Sequence, residues 1–454
     1  MSTIVAISTG RTRSAIGIIR MSGEDALTIA AKVFSLSKNR DVTKITPNMM
    51  YLGTISDNVG VLDECMIVYF KAPRSYSGED MIEFSCHGSL FILDSIVEVL
   101  IKNGAKMALP GEFTKRAFLN GKQSLSKAEA VMDIIDSKTR LQTALAIKSH
   151  KGVSDDYISE IADKLSLILA RFFAYIDYPD DEIVDTDLSS IIENLTAIND
   201  EILALIKSYD LGQIIKDGIN ATIIGTPNVG KSSILNLLAN DERSIVTDIA
   251  GTTRDVVEVS IKLSDIIFNL SDTAGVRDAT DIIERIGIEK AYHSANNSDV
   301  IFCVIDSSRT LTNDDIALLE FLKDKNAIAL INKSDLPTKT DINIITSYIK
   351  NTVKISAKTS SGIDTLSGLV KEMFLKGDIL STDKKIITNI RHKNALIAAN
   401  EALTIAINAA KANEFLDAVI SEVEISIENL LYINGKNVTD ATVSSIFANF
   451  CVGK

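Results

Sequence analysis

One stretch, Gly225-Thr-Pro-Asn-Val-Gly-Lys-Ser232, constrains this chain more than any other. It stands between an apolar run, Ala221–Ile224, and a helical stretch, Ser233–Leu238, and has the form G-x-x-x-x-G-K-S. In a strand–loop–helix setting this pattern builds a phosphate cradle. Backbone N–H groups of Asn228, Val229 and Gly230 close around the phosphates, and the Lys231 ammonium reaches the β- and γ-phosphates. Ser232 can ligate Mg²⁺, and Ser233 continues the helix N-terminus. A strand that feeds a helix this way belongs to a doubly wound, mostly parallel sheet.

Three further motifs follow in order, each after an apolar run. Asp272, Thr273, Ala274 and Gly275 follow Ile266–Leu270, where an Asp at a strand end can hold Mg²⁺ through water. Asn332, Lys333 and Asp335 follow Ala327–Ile331. An Asp there accepts from both N1–H and the exocyclic amine of guanine, a pair that adenine does not offer, so the loop selects GTP over ATP. Ser356, Ala357 and Lys358 follow Val353–Ile355 and would bring backbone N–H groups to guanine O6. Together the four motifs predict GTP binding. The water-positioning Gln that Ras-type enzymes carry after this Asp motif is replaced by Val276, which cannot hydrogen-bond. Glu284, a few residues on, is the candidate for that task.

Around this α/β block, 218–378, the text changes character. Residues 1–120 mix short apolar runs with helical stretches near Asp25–Phe34 and Leu90–Asn103, which reads as an α+β domain. Residues 121–217 carry long amphipathic stripes, and 379–454 return to the helical period. Ser126-x-x-Glu129 has the form of a capping box, and the stripe Ile158 to Ile176 includes Phe172 and Phe173. The expectation is a helical-bundle domain, 121–217 plus 379–454, with the α/β domain inserted.

Composition fits a globular chain of 454 residues, 46% hydrophobic, without an apolar run long enough to span a membrane. A cytoplasmic location is expected. The net charge of −13 argues against a broad basic grip on nucleic acid. Its distribution matters more, because residues 154–201 alone hold 13 acidic and two basic side chains. Cys65, Cys86, Cys303 and Cys451 lie far apart with no CxxC pair, so neither a zinc site nor a disulfide framework follows from spacing. His87, His150, His293 and His392 lack metal spacing and read as surface or core residues.

With these motifs and the C-terminal Phe450-Cys-Val-Gly-Lys454, the chain resembles the tRNA-modification GTPase family MnmE (TrmE) along its whole length. Thr247-Asp-Ile-Ala-Gly-Thr-Thr-Arg-Asp255 looks like the family's potassium-loop and switch segment. Ile283-Glu-Arg-Ile-Gly-Ile-Glu289 looks like its water-positioning segment. The resemblance implies K⁺ held by Asn228, Thr247, Ile249 and Thr252, and Mg²⁺ held by Ser232 and Thr253. Asp248, Ala250 and Gly251 fall in the same nucleotide-contacting segment, and Glu284 becomes the water-orienting residue.

The N-terminal domain is similar to tetrahydrofolate-binding domains. That likeness implies a 5-formyl- or 5,10-methylene-tetrahydrofolate contacted by Arg20, Glu83, Lys122 and Lys454. It also makes Cys451 a functional thiol, where the residues alone read as an apolar filler beside Phe447 and Phe450. The family's motif usually has Ile where Val452 stands. Further implications are a homodimer through the N-terminal domains and activation on G-domain dimerisation. The implied pathway uses a flavin-dependent partner, MnmG, to add an aminomethyl-type or carboxymethylaminomethyl group at C5 of the wobble uridine of certain tRNAs. Two alternatives stay open on sequence: a regulatory GTPase switch in ribosome assembly, and a non-catalytic folate-responsive scaffold.

Overall fold

The computed structural model describes residues 2–37, 40–177, 188–240, 259–270, 292–375, 385–412, 415–448 and 450–453. They divide into two compact units, one of residues 1–135, 148–196 and 398–454, the other of 136–147 and 197–397. The helix Leu188–Asp217 contributes residues to both.

In the first unit, a seven-stranded sheet is built from β1 (Ile4–Ile7), β2 (Ile16–Ser22), β3 (Phe34–Leu36), β4 (Met50–Ser56), β5 (Val61–Phe70), β6 (Met81–His87) and β7 (Lys106–Met107). Its order is β3-β4-β5-β6-β2-β1-β7, antiparallel except for the β1–β7 pair. The helices Ala26–Val33 and Leu90–Lys102 cover one face, sharing a core with Ile19, Ile67, Phe84, Leu93 and Leu100. This sheet with helices on one face is the α+β mixture expected of the N-terminal stretch. Alternation along β5 and β6 explains the pattern, because every second side chain turns inward.

The helical stripes of this unit hold with two corrections. The helix Val153–Asp177 buries Ile158, Ile161, Leu165, Ile168 and Phe172, but Phe173 is 45% exposed. One residue step turns the side chain about 100° around the helix, which takes Phe173 out of the buried face that holds Phe172. The capping expectation at Ser126 is two residues out of register. Ser124 Oγ accepts the Lys127 N–H at 3.2 Å, and Ser126, inside the Leu125–Asp136 helix, instead donates to buried Asp155. A carboxylate from the neighbouring helix outcompeted the local cap. At the chain's end, Val443, Phe447 and Phe450 pack on Leu125 and Ala128.

In the second unit, β8 (Ile219–Ile224), β9 (Val259–Leu263), β10 (Ile266–Leu270), β11 (Val300–Asp306), β12 (Ala327–Asn332) and β13 (Asn351–Lys354) form one sheet. Its order is β13-β12-β11-β8-β10-β9, parallel except for β9 against β10. Both faces are covered. Val300, Phe302 and Val304 enter one core, while Ile301, Cys303 and Ile305 enter the other. That two-sided burial is why the strands read as unbroken apolar runs. Neighbours of β8 on its two sides follow it by opposite routes, so the carboxyl end of β8 is the switch point where such sheets bind ligands.

Candidate nucleotide site and the C-terminal tail

The loop after β8 is shaped by backbone demands that few residues meet. Asn228 and Gly230 take left-handed conformations, at φ 61 and 97. A Cβ on Gly230 would stand 2.4 Å from the Asn332 amide nitrogen. The helix Lys231–Asn240 starts at once, with Ile234 N–H donating to the Gly230 carbonyl at 2.9 Å. The N-terminal end of this helix therefore opens onto the loop, the arrangement that suits an anion. The Lys231 ammonium arches back over the loop and donates to the carbonyls of Gly225 (2.9 Å) and Thr226 (3.0 Å). Ser232 is half-buried in that first turn, and Ser233 is exposed.

The guanine-type loop sits at the end of β12. Asn332 is 2% exposed, and its side chain ties loops together. Its amide donates to the Val229 carbonyl at 2.9 Å, and its oxygen accepts the Ala357 N–H at 3.2 Å. One buried amide thus fastens all three loops. Lys333, itself at φ 60, donates to Asp306 Oδ2 at 2.5 Å and to the Asn228 carbonyl at 3.2 Å. Burial pushes the Asp306 carboxyl up, but Lys333 and Ser308 outweigh it and hold it below its usual value. Asp335 is exposed, as a base-reading carboxylate needs to be, and buried Ser356 donates to its Oδ1 at 2.6 Å. That hydrogen bond, with weaker help from Lys358 and Lys333, holds Asp335 ionised below the ordinary carboxylate range. Lys358 is exposed beside it.

Sequence reasoning missed a second fastening. Thr226 donates to Asp315 Oδ1 at 2.7 Å, and Arg309 grips both carboxylate oxygens, at 2.6 and 3.1 Å, while also reaching Thr226 Oγ1 at 3.0 Å. Asp315 is also the third residue of the helix Asn313–Leu322, where it closes a capping box with Thr312. The T-x-x-D spacing was a visible signal for the cap. Nothing local signalled Thr226 as a partner. Asp315 is 2% exposed. Burial alone would raise its carboxyl, but the bonds from Arg309, Thr312 and Thr226 bring it from 3.8 down to about 2.

A carboxyl held low contributes stability above its unfolded value and loses it as pH falls through the folded one. Asp315 is therefore expected to contribute about 2 kcal/mol at neutral pH. Asp315→Asn should cost about 2–3 kcal/mol in urea unfolding at pH 7, because Arg309 keeps its charge without a counterion. The gap between wild type and variant should close as pH drops towards 2. A gap that stays constant with pH would refute this account.

In the first unit, β2 and β6 place Arg20 directly opposite Glu83. Arg20 donates from Nε to Glu83 Oε1 at 2.8 Å, and its Nη2 lies 2.7 Å from the same oxygen. The guanidinium stands 5.1 Å from the ring centre of Tyr76 and 5.7 Å from that of Phe113. It also donates to the Gly453 carbonyl at 3.5 Å, and Ser8 Oγ donates to that carbonyl at 3.0 Å. Gly453 is at φ 97, and a Cβ there would lie 2.3 Å from the Ile7 carbonyl, so the tail lies flat on β1 only because the residue is glycine. Upstream, the Gly111 N–H donates to the Cys451 carbonyl at 3.3 Å.

The structure thus brings Arg20, Glu83 and the C-terminal tail together. Cys451 is an exposed thiol, which removes the filler reading; Phe450 is the buried one. Lys122 donates to the Pro73 carbonyl at 2.9 Å. Arg116, which the sequence did not single out, is 3% exposed and bonded to Glu79 and Glu112 beneath this surface. Thr247, Asp248, Ile249, Ala250, Gly251, Thr252, Thr253, Asp272, Thr273, Ala274, Gly275, Glu284 and Lys454 lie outside the described residues.

Two family models match the chain. One is described as the MnmE helical domain and spans residues 125–451. The other is described as the GTP-binding protein TrmE N-terminus and spans 3–122. The tRNA modification GTPase MnmE of Clostridioides difficile (strain 630) is 40% identical over 454 residues, covering 100% of this chain and 99% of that relative. Its namesake in Lachnoclostridium phytofermentans is 40% identical over 456 residues, again covering 100% and 99%. Among solved structures, Era of Aquifex aeolicus bound to GDP·AlF4⁻ shares 26% identity, covering 41% of this chain and 67% of its own, with a TM-score of 0.26.

Proposed function

The chain belongs to the MnmE family of tRNA modification GTPases, and on that premise we propose a potassium-stimulated GTP hydrolase acting on the wobble uridine of certain tRNAs. The observation that carries the nucleotide half is the pairing of an ionised, exposed Asp335 with a phosphate loop fastened to it by Asn332. Lys231 and the loop N–H groups of Asn228, Val229 and Gly230 take the phosphates, Asp335 reads the guanine edge, and Ser356, Ala357 and Lys358 bound its far side. Ser232 and Thr253 would ligate Mg²⁺. Asn228, Thr247, Ile249 and Thr252 would hold K⁺, which supplies positive charge beside the phosphates where an arginine finger otherwise would. Of those K⁺ ligands, Asn228 lies among the described residues. Its left-handed backbone fits a residue turned into the cradle.

A tetrahydrofolate derivative would contribute the one-carbon unit. Arg20, Glu83, Lys122 and Lys454 are the proposed contacts, and the site fits such a ligand in chemistry. A carboxylate can accept from the pterin N–H groups, and cations suit the glutamate tail. Two aromatic rings already stand against the Arg20 guanidinium. Cys451, exposed beside this pair's carbonyl anchor, is the proposed functional thiol. We place the protein in the cytoplasm as a homodimer that works with a flavin-dependent MnmG-type partner. Among the described residues no helix is long and apolar enough to cross a membrane.

Two measurements test this. GTP turnover by the full chain is expected to fall on the order of 10²-fold when Na⁺ replaces K⁺. Equal rates would refute the cation assignment. Mass spectrometry of tRNA from cells lacking this chain is expected to show wobble uridines without the C5 substituent. Unchanged uridines would refute the pathway.

A further inference from the structure

Outside both sites, the N-terminal sheet gathers a set of metal-type donors that no motif accounts for. Cys65 and Cys86 looked unrelated by spacing. The β5–β6 register, in which Met66 opposes Ser85, makes them neighbours across the two strands. Asp63 stands two residues before Cys65 and so shares its face of the sheet. One carboxylate oxygen and the two sulfurs all lie within 4.8 Å of one another. All three side chains are buried, with Asp63 7% exposed and each cysteine 3%.

We propose that Asp63, Cys65 and Cys86 bind a Zn²⁺ ion, with solvent in the fourth position. Two sulfurs on a tetrahedral zinc, each about 2.3 Å from it, stand about 3.8 Å apart. The donors already lie within 4.8 Å of one another, so rotation about the Cα–Cβ bonds of the two cysteines can bring the sulfurs to that spacing. Thiolate ligands select zinc over Mg²⁺ and Ca²⁺, which take oxygen. Binding exchanges two S–H bonds for two S–Zn bonds and releases two protons to solvent.

The surroundings are those of a held ligand. The His87 N–H donates to Asp63 Oδ2 at 2.8 Å, and His87 Nδ1 lies 2.6 Å from Oδ1, so the carboxylate is oriented from behind. The His87 side chain is 71% exposed, which puts the group beside the solvent at the end of β6 and gives an ion a way in.

The test uses the full chain, stripped with chelator, exposed to Zn²⁺ and desalted. About one zinc per chain by elemental analysis is expected, with Co²⁺ in its place giving thiolate charge-transfer absorption. The paired Cys65→Ser and Cys86→Ser change should remove both signals, with folding checked by circular dichroism. His87→Ala should weaken zinc roughly 10-fold or more while leaving the stoichiometry intact. No zinc retained by the wild type would overturn the proposal whatever the variants do. So would zinc undiminished in the double variant, or the two thiols recovered as a disulfide that excludes the ion.

Discussion

Asp335→Asn is expected to lower GTP affinity about 10³-fold and to admit xanthosine triphosphate in its place. On the proposed reading the carboxylate accepts from guanine N1–H and from the C2 amine, two charge-assisted bonds of roughly 1.5–3 kcal/mol each. An amide turned to keep one of them points its own NH₂ at the guanine amine, so one bond is lost and a donor faces a donor. Xanthine carries a carbonyl at C2, which accepts that NH₂, while its N1–H still meets the amide oxygen. The loop itself has no reason to move. Ser356 donates to Oδ1 at 2.6 Å, a bond that an amide oxygen still accepts, if more weakly, and Asn332 holds the loop from its buried side. Equilibrium titration with both nucleotides measures the swap. GTP binding kept within a few fold, or GTP lost with no gain for xanthosine triphosphate, would show that Asp335 does not read the base.

What could be read in the sequence and what could not divides along a physical line. Features set by a residue's own backbone or by short-range period were legible. Asn228 and Gly230 occur where the chain must turn left-handed, and β11 and β12 read as continuous apolar runs because both faces of their sheet are covered. The strand ends that carry Asn332 and the phosphate loop followed from that alone. Features set by register between distant segments were not legible. Arg20 meets Glu83 because β2 pairs with β6, and Cys65 meets Cys86 because β5 does, and neither pairing has a local signature.

The Thr226–Asp315–Arg309 cluster shows the same limit inside the nucleotide site. Asp315 was visible as a helix cap, but that the capping carboxylate also holds the phosphate loop depends on the helix packing beside β8. Asn332 is a parallel case. Its place at the end of β12 was legible, while its bonds to the Val229 carbonyl and the Ala357 N–H, which fasten the neighbouring loops, depend on strand order and were not. Its loss should loosen both loops together, which distinguishes it from Asp335.

Removal of the Glu284 carboxylate is expected to cut kcat about 10³-fold with GTP affinity changed less than about threefold. The reasoning starts from a deficit. The residue after Asp272-Thr-Ala-Gly275 is Val276, whose isopropyl group can neither accept a proton from water nor orient it. Hydrolysis still needs an attacking water held in line with the leaving group. Glu284 is the acid that the resemblance assigns to that water, within Ile283-Glu-Arg-Ile-Gly-Ile-Glu289. A group acting only on the water touches the transition state and not bound GTP, so kcat should fall and binding should not. Glu284→Gln keeps the length and the hydrogen-bonding oxygen but loses the charge, so it separates orientation from proton acceptance. A Gln variant near wild type beside a dead Glu284→Ala would mean the carboxylate positions the water without taking its proton. If Glu284→Ala itself keeps kcat within about fivefold, the water is held by another residue and the assignment is wrong. On the proposed roles, K⁺ acting on phosphate charge and Glu284 on the water, the Ala variant should keep its residual K⁺ over Na⁺ preference. Loss of that preference would mean that the two act through one another.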